Sequence, residues 1–463
     1  MMQSLIEISQ IFMTTFVVAF FMPIFWIVLF LVYTQYRRLV ATEEKLFGRP
    51  INNVGRQMLL STALGILGGF AASTILIIMG LSLEQIGLYF IWPVALLLLM
   101  INPRYLCFSY AGGIVAVMVL LGRHVLVPLF PYLEQNVVME SLLMIHIPAL
   151  LVLIGLLHLA EALLIYFGGH WGNSPIYLKN EDGDVVGAFA LQRFWPLPLV
   201  ALLVTVVAQT DIAGVSMPEW WPILETNLQP GEGQALQYAV IPVAAGLGYA
   251  DIAVSSTPRE RTVFSARGLA LYSVVLLIIA VGSEFLSWLV IPGLLFAPLG
   301  HELLIIYGKK QEDSRPSRFQ MPAKGVTIMM VLPDSPAWQA GLLDDDLILK
   351  INGEEVDTNN DLIEKIEDSY FMVLVEGVRD GEPFSLIFKK STASREENKN
   401  SPRAGLESYS PVSILHRSAT LGLIPVPAPD SSVYMEVQKP DPLGRFRWLK
   451  EKISGLLNSK KAI

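Results

Sequence analysis

Long apolar runs separated by short polar loops dominate residues 11–308. A helix of about 20 apolar residues spans the hydrocarbon core of a bilayer. This pattern predicts membrane-spanning helices at 11–34, 57–80, 86–102, 105–121, 146–167, 196–208 and 236–254. The apolar stretch 268–308 is too long for one helix and is interrupted at 282–284, so it is expected to hold either two short spans or one span and a re-entrant segment. The predicted fold of residues 1–308 is therefore an α-helical polytopic membrane bundle of about eight or nine spans.

Charge in the loops predicts how this bundle is oriented. Lysine and arginine cluster in 37–56, 255–267 and 309–318, whereas the acidic loop 209–235 has neither. Cytoplasmic loops carry the excess of basic residues. We therefore expect a multi-pass membrane protein, with loop 209–235 outside and the region after residue 308 in the cytoplasm. The first apolar run is expected to be a retained helix.

The loop 168–195 contains two short apolar segments, 175–179 and 185–189, on either side of Asp182 and Gly183. An Asp-Gly pair between such segments is a hairpin signal. We expect a small cytoplasmic β-hairpin here.

Residues 319–390 have the pattern of one small α/β domain. An alternating segment begins at Val326, and Ser335 with Pro336 is suited to start a short helix that Gly341 ends. A second strand is expected at 347–351, followed by a tight turn at 352–353 and a helix at 359–367 capped by Thr358. Two further strands, 371–377 and 384–388, are expected to complete the sheet.

These features resemble a bacterial-type PDZ domain, and the resemblance rests on 331–337, 340–342, 346–348 and 351–353. Asp345 stands where that family normally has glycine. PDZ domains bind an extended peptide as an added strand between a strand and a helix. By this resemblance the strand containing Ile328 would pair with the peptide and the loop 323–326 would hold its carboxylate. The residues implied in peptide binding are Lys324, Gly325, Val326, Ile328, Leu362 and Ile366.

The tail 391–463 is rich in Ser, Pro, Asn and charge up to residue 440, and is expected to be flexible there. Residues 444–458 have apolar positions at helical spacing with basic residues beside them, which predicts a terminal amphipathic helix. Such a helix suits an anionic bilayer surface, or alternatively a partner protein. The candidate membrane-surface residues are Arg445, Phe446, Arg447, Trp448, Lys450 and Lys452.

Composition narrows the functional classes. The chain has 463 residues, of which 53% are hydrophobic and 16% are charged, and its net charge of −8 argues against nucleic-acid binding. The single cysteine, Cys107, excludes a disulfide framework and a paired-cysteine metal motif. In an apolar run it is interpreted as a small hydrophobic side chain.

The apolar runs nevertheless contain histidine and glutamate. His158 and Glu161 share a helix face, and His301 and Glu302 lie in the last apolar stretch. These groups either converge on a metal or form buried hydrogen-bond clusters, and we favour the second interpretation. A site-2 metalloprotease would need a second histidine four residues after His301, and Ile305 stands there. We therefore assign no catalytic residue, metal or cofactor.

The order of spans, hairpin loop, further spans and PDZ domain resembles the MinJ family of Gram-positive bacteria. The local sequences that carry this resemblance are 158–161, 187–192, 194–198 and 296–302. The resemblance implies a division-site adaptor of the bacterial cell membrane that links a DivIVA-like polar scaffold to a MinD-like division inhibitor at the septum and cell poles. A PDZ-containing intramembrane protease and a transporter with a regulatory PDZ domain are the alternatives.

Overall fold

The computed structural model describes residues 2–180, 182–211, 214–215, 217–224, 226–369, 372–389 and 411–435. The helices of these residues are α1 (Met2–Ala19), α2 (Pro23–Phe47), α3 (Val54–Met79), α4 (Leu83–Ile86), α5 (Leu88–Ile101), α6 (Phe108–Leu121), α7 (Val127–Leu129), α8 (Val137–Leu143), α9 (Ile147–Gly168), α10 (Pro258–Phe285), α11 (Val290–Asp313), α12 (Pro336–Gln339), α13 (Asn359–Asp368) and α14 (Pro411–Leu421). The strands are β1 (Ser174–Lys179), β2 (Val185–Ala208), β3 (Gln234–Ala253), β4 (Val326–Val331), β5 (Leu347–Ile351), β6 (Glu354–Glu355), β7 (Met372–Arg379), β8 (Glu382–Lys389) and β9 (Leu423–Pro425).

Several helices of the first 313 residues have the length and composition of membrane spans. Within the described residues, six qualify: Pro23–Phe47, Val54–Met79, Phe108–Leu129, Ile147–Gly168, Pro258–Phe285 and Ser287–Asp313. Two shorter apolar helices, Ile6–Ala19 and Leu88–Ile101, accompany them. The helical membrane-type region is therefore confirmed, but the predicted count of eight or nine spans is not.

Two predicted spans have different boundaries. The stretch 268–308 holds parts of two helices, α10 and α11, as expected, although the break follows Phe285 rather than falling at 282–284. The predicted first span, 11–34, is divided between α1 and α2. Pro23 is the first residue of α2, a position where its missing N–H costs no helical hydrogen bond.

The apolar runs 196–208 and 236–254 are strands, so their prediction as membrane helices is wrong. β2 and β3 pair antiparallel from Phe189↔Ala253 to Ala208↔Gln234. Pro196 and Pro198 lie inside the first run, and proline in a helix interior removes a hydrogen bond and clashes with the preceding turn. With 24 residues, β2 is about 75 Å long. Its far end carries the loop 209–233, at the opposite end of the ribbon from β1.

Beyond residue 190, the edge of β2 that faces away from β3 is covered by helices rather than by a strand. β1 pairs only with residues 185–190 of β2. An open strand edge is not tolerated against lipid, because its N–H and C=O groups would lack partners. Side chains of neighbouring segments supply acceptors: Phe194 N–H donates to the Tyr36 hydroxyl (3.2 Å), Val200 N–H to the Ser73 hydroxyl (2.8 Å) and Val204 N–H to the Glu84 carboxylate (3.1 Å). The two prolines of this edge have no N–H to satisfy.

Small residues on α3 allow this close contact. Gly65, Gly69 and Ser73 recur every four residues, which is about 6.0 Å along a helix. Two residues of a strand advance by about 6.6 Å, so the small residues of α3 lie level with alternate residues of β2. Gly65 lies against the Pro196 carbonyl and Gly69 against the Pro198 carbonyl, where a Cβ atom would clash with backbone oxygen.

Helix α9 is at the centre of the bundle and is buried along most of its length. It packs against α10, α3, α6 and α11. One charged side chain, Arg193 of β2, is fully buried nearby, where it donates to Gln57 and to the Ser61 hydroxyl (2.9 Å). Its guanidinium also lies 5.5 Å from the centre of the Tyr36 ring.

Residues 411–435 differ from the expected flexible tail. They form α14 and β9, which pack between the PDZ region and the rest of the protein. Leu415, Ala419, Leu423 and Ile424 are buried, and this apolar burial offsets the entropy cost of ordering the segment. The predicted helix 444–458 lies outside the described residues.

Candidate functional site

The PDZ region is a sheet in the order β8-β7-β5-β4-β9, with β6 paired to β5. The capping and turn residues of this region have the roles predicted from the sequence. Ser335 accepts the Trp338 N–H (3.2 Å) and starts α12. Gly341 adopts a positive φ of 89° after that helix, and Asn352 with Gly353 forms the tight turn, with φ values of 52° and 82°.

Acidic residues at 345 and 346 stabilise the loop before β5. Asp345 has a φ of 71°, the left-handed conformation that glycine adopts without strain, and Arg318 pairs with its carboxylate at 2.7 Å. Asp346 is fully buried and accepts from the Leu343 N–H (2.8 Å) and from Arg379 (2.6 Å). The loop is therefore fixed by hydrogen bonds although it lacks the usual glycine.

Strand β4, which was expected to offer its edge to a peptide, is paired on both sides. β5 pairs with residues 326–327, and β9 pairs antiparallel with 328–331. Two flanking bonds extend the second pairing: Leu332 N–H donates to Gly422 O (2.8 Å), and Val426 N–H donates to Thr327 O (2.9 Å). The outermost strand on this side of the sheet is therefore β9, which lies in the segment predicted to be flexible.

The segment 421–426 also packs against helix α13. Leu421 and Leu423 share one apolar cluster with Leu362 and Ile366 of that helix. At the other end of the segment, the Asn359 side chain donates to Val426 O (2.8 Å). Arg417 of α14 pairs with Glu367 of α13 at 3.1 Å. β9 therefore fills the space between β4 and α13, and Leu423 has no exposed surface.

The same segment joins the PDZ region to the hairpin β1–β2 and to the helices. The Tyr177 hydroxyl of β1 donates to Pro425 O (2.5 Å), and Met435 N–H donates to Tyr177 O (2.7 Å). Arg49, which follows α2, donates to Ala419 O (3.3 Å). Ile424 and Val426 belong to the apolar cluster of the membrane-type region, whereas Leu423 belongs to that of the PDZ region. Alternate side chains of one short strand thus hold the two regions together.

A histidine lies between α9 and this hairpin. The Nη1 atom of Arg259 is 3.2 Å from Nδ1 of His170. Burial, followed by the charges of Arg259 and Arg193, lowers the pKa of His170 below its ordinary value. The neutral imidazole accepts the Arg259 N–H, and protonation would remove that acceptor.

The predicted peptide-binding residues form two groups in the structure. Lys324 is exposed beside Gly325, which has a φ of 84° and whose N–H donates to Asp357 (3.3 Å). The other four, Val326, Ile328, Leu362 and Ile366, are buried in the core of the PDZ region. Their role in peptide binding stays a prediction. The candidate membrane-surface residues Arg445, Phe446, Arg447, Trp448, Lys450 and Lys452 lie outside the described residues.

Some of the polar residues predicted in the apolar helices lie close to one another. His158 and His301 have ring centres 5.1 Å apart. Glu302 instead binds Arg104 and the Tyr110 hydroxyl, and Glu161 is not among the groups that approach the two histidines closely enough to share a metal. Cys107, interpreted from the sequence as a small apolar residue, is the third member of the cluster: its Sγ lies 3.0 Å from Nε2 of His158.

The fold and this sheet define the chain as a membrane-type protein with a PDZ domain. The family model described as PDZ domain matches residues 327–376. A curated relative, the cell division topological determinant MinJ of Bacillus subtilis (strain 168), is 24% identical over 362 residues, which are 77% of this chain and 86% of that protein. The predicted resemblance is confirmed: the chain is MinJ-like over most of its length and contains a PDZ domain.

Proposed function

We propose that the chain is a membrane-anchored adaptor of cell division that binds partner proteins through its PDZ domain. The observation that carries this proposal is the joint occurrence of a PDZ sheet and a bundle of apolar helices in a chain similar to a division determinant. Confinement of a binding domain to a membrane raises its effective concentration near partners at the same surface. The proposal assigns the protein no catalytic reaction.

The finer proposal concerns partners and location. By resemblance, the partners are a DivIVA-like scaffold and a MinD-like protein, and the chain acts at the septum and cell poles. The PDZ domain faces the cytoplasm and loop 209–233 faces the opposite side. The two strands β2 and β3 support this orientation. They stand where two helical crossings were predicted, and their antiparallel pairing keeps loop 209–233 at one end of the ribbon and the PDZ domain at the other.

The peptide-binding groove is proposed to be the edge of β4 beside α13, which β9 covers in this structure. A PDZ domain adds its peptide to a strand edge beside a helix, and β4 has no free edge in this structure. Ile328 would pair with the peptide and Leu362 and Ile366 would line the helical wall, against which Leu421 and Leu423 pack in this structure. A partner would therefore have to displace β9 from β4 and α13, with the Arg417–Glu367 ion pair as one contact to break.

Site-specific photocrosslinking in living cells tests the groove. A crosslinker at Leu362 of α13 is expected to capture the DivIVA-like or MinD-like protein. The same crosslinker at Ile387, an exposed position on the opposite edge strand β8, is the matched control and should capture neither. Equal capture from both positions would reject the groove assignment.

Imaging and labelling test the wider function. A fluorescent fusion of the full chain should concentrate at septa and poles, and its deletion should misplace septa. Uniform membrane fluorescence with normal septa in the deletion strain would contradict the division role. For orientation, Pro230→Cys and Gln320→Cys in a Cys107→Ser background should react with a membrane-impermeant maleimide from opposite sides. Reaction of both from one side would refute the orientation while leaving the adaptor role open.

A further inference from the structure

Three metal-ligating side chains from separate helical segments converge inside the bundle. Cys107 immediately precedes α6, His158 is in α9 and His301 is in α11. Their ligand atoms all lie within 4.8 Å of one another. His158 is 2% exposed, and the other two are partly buried. Their convergence depends on the fold, because the three residues are far apart in the sequence.

The sulfur–nitrogen distances lie on either side of the value for a tetrahedral metal centre. With a Zn–S bond of about 2.3 Å and a Zn–N bond of about 2.05 Å, tetrahedral geometry places sulfur and nitrogen about 3.5 Å apart. In the structure, Cys107 Sγ is 3.0 Å from Nε2 of His158 and 4.0 Å from Nε2 of His301. Both separations are within about 0.5 Å of the value that a bound ion requires.

Neighbouring groups set both imidazoles in the form that binds a metal. His158 Nδ1 lies 2.7 Å from Ile154 O, which only accepts, so Nδ1 carries the proton and Nε2 keeps its lone pair. The Tyr110 hydroxyl donates to Glu302 (2.5 Å) and its oxygen is 3.4 Å from His301 Nδ1, so that nitrogen is the donor. Metal-bound histidines ordinarily donate their other ring N–H in this way.

We propose that Cys107, His158 and His301 bind a transition metal ion of the Zn²⁺ class. Thiolate and imidazole ligands select zinc or copper over magnesium or calcium. Binding would displace the thiol proton of Cys107 to solvent and form one metal–sulfur and two metal–nitrogen bonds. Three protein ligands leave a fourth position for water or another small ligand. The competing arrangement is a hydrogen bond from the Cys107 thiol to His158, with no metal.

Thiol protection gives a direct test because Cys107 is the only cysteine. The full chain is purified in detergent, treated with a chelator, and reacted with a maleimide with and without added Zn²⁺. Zn²⁺ is expected to slow the modification of Cys107 by at least about tenfold, and metal analysis should then give one ion per chain. An unchanged rate together with no retained zinc would overturn the proposal.

Substitutions separate metal binding from folding. Cys107→Ser, His158→Gln and His301→Gln should each weaken zinc binding by at least about tenfold, whereas His124→Gln, at an exposed histidine, is the control and should bind as the wild type does. Co²⁺ should give a sulfur-to-metal charge-transfer band that Cys107→Ser abolishes. Tyr110→Phe should weaken binding by about tenfold through the orientation of His301. Equal zinc retention in wild type and all three ligand variants would identify nonspecific binding and refute the site.

Discussion

Replacing Leu423 by alanine should release the segment that completes the PDZ sheet. Leu423 is fully buried between the sheet and helix α13, and β9 is only three residues long. Removal of a buried leucine side chain costs about 2–5 kcal/mol. With about 3 kcal/mol, and about 1.4 kcal/mol per factor of ten, the equilibrium for docking of β9 falls by about 150-fold.

Hydrogen exchange measured by mass spectrometry on the full chain in detergent would report this release. The informative amides are Leu332, which donates to Gly422 O, and Val426, which donates to Thr327 O. Their protection should fall by about 150-fold where undocking controls exchange. The Asn352 amide, which donates to Leu374 O (2.8 Å) between β5 and β7, should keep its protection because that pairing does not involve β9.

A matched control and a clear negative result make the experiment decisive. Ile387→Ala changes an isoleucine that is 58% exposed on β8, and its effect should stay within about 0.5 kcal/mol. If Leu423→Ala leaves the Leu332 and Val426 amides as protected as in the wild type, β9 is not the outer strand of this sheet in solution. If exchange rises equally at Asn352, the variant has lost the domain rather than the segment.

Three further substitutions test other parts of the structure. Gly69→Ala should destabilise the helical region by about 1–3 kcal/mol through a clash with the Pro198 carbonyl, seen as a lower melting temperature in detergent. Gly55→Ala, at an exposed position near the start of the same helix where only the Asn53 side chain is close, is the control and should not lower it. Arg379→Met should cost about 3 kcal/mol or less, measured by hydrogen exchange at β5. The substitution leaves the buried Asp346 carboxylate without its charged partner, whereas Arg379 itself is partly exposed. An unchanged exchange rate would show that the ion pair contributes nothing to stability. Because folding lowers the pKa of His170, the unfolded chain binds a proton at this residue at a higher pH than the folded protein does. His170 therefore contributes stability at pH values above its ordinary pKa of about 6.5, and this contribution is lost as the pH falls through the lower folded pKa. His170→Gln should therefore reduce the loss of melting temperature between about pH 7 and pH 5, and an identical pH profile in both proteins would contradict the assignment.

The sequence predicts the PDZ domain well because its signals are local. A capping serine, a glycine after a helix and an Asn-Gly turn each act within a few residues, and the structure places them where the pattern requires. The apolar run at 196–208 was misassigned because hydrophobicity alone does not distinguish a membrane helix from a buried strand. Pro196 and Pro198 were the available signal, since two prolines in one short run disfavour a helix interior.

The remaining features depend on contacts between distant residues. β9 has only three residues in a segment of mixed polarity, and its strand conformation comes from pairing with β4, almost a hundred residues earlier. Likewise, Cys107 gains significance only because the fold brings α9 and α11 beside the start of α6. The sequence identified both histidines as candidates, but no spacing rule connects them to that cysteine.

The ribbon β2–β3 gives the protein a fixed internal length. A shift of one residue between paired strands would turn every side chain to the opposite face, so a register held by Tyr36, Ser73 and Glu84 resists sliding. The near end of β2 contacts the segment before the PDZ domain through Gly187 and Phe319. The ribbon therefore sets a constant spacing between the loop 209–233 and the recognition domain, and a displacement imposed on one end would be transmitted to the other.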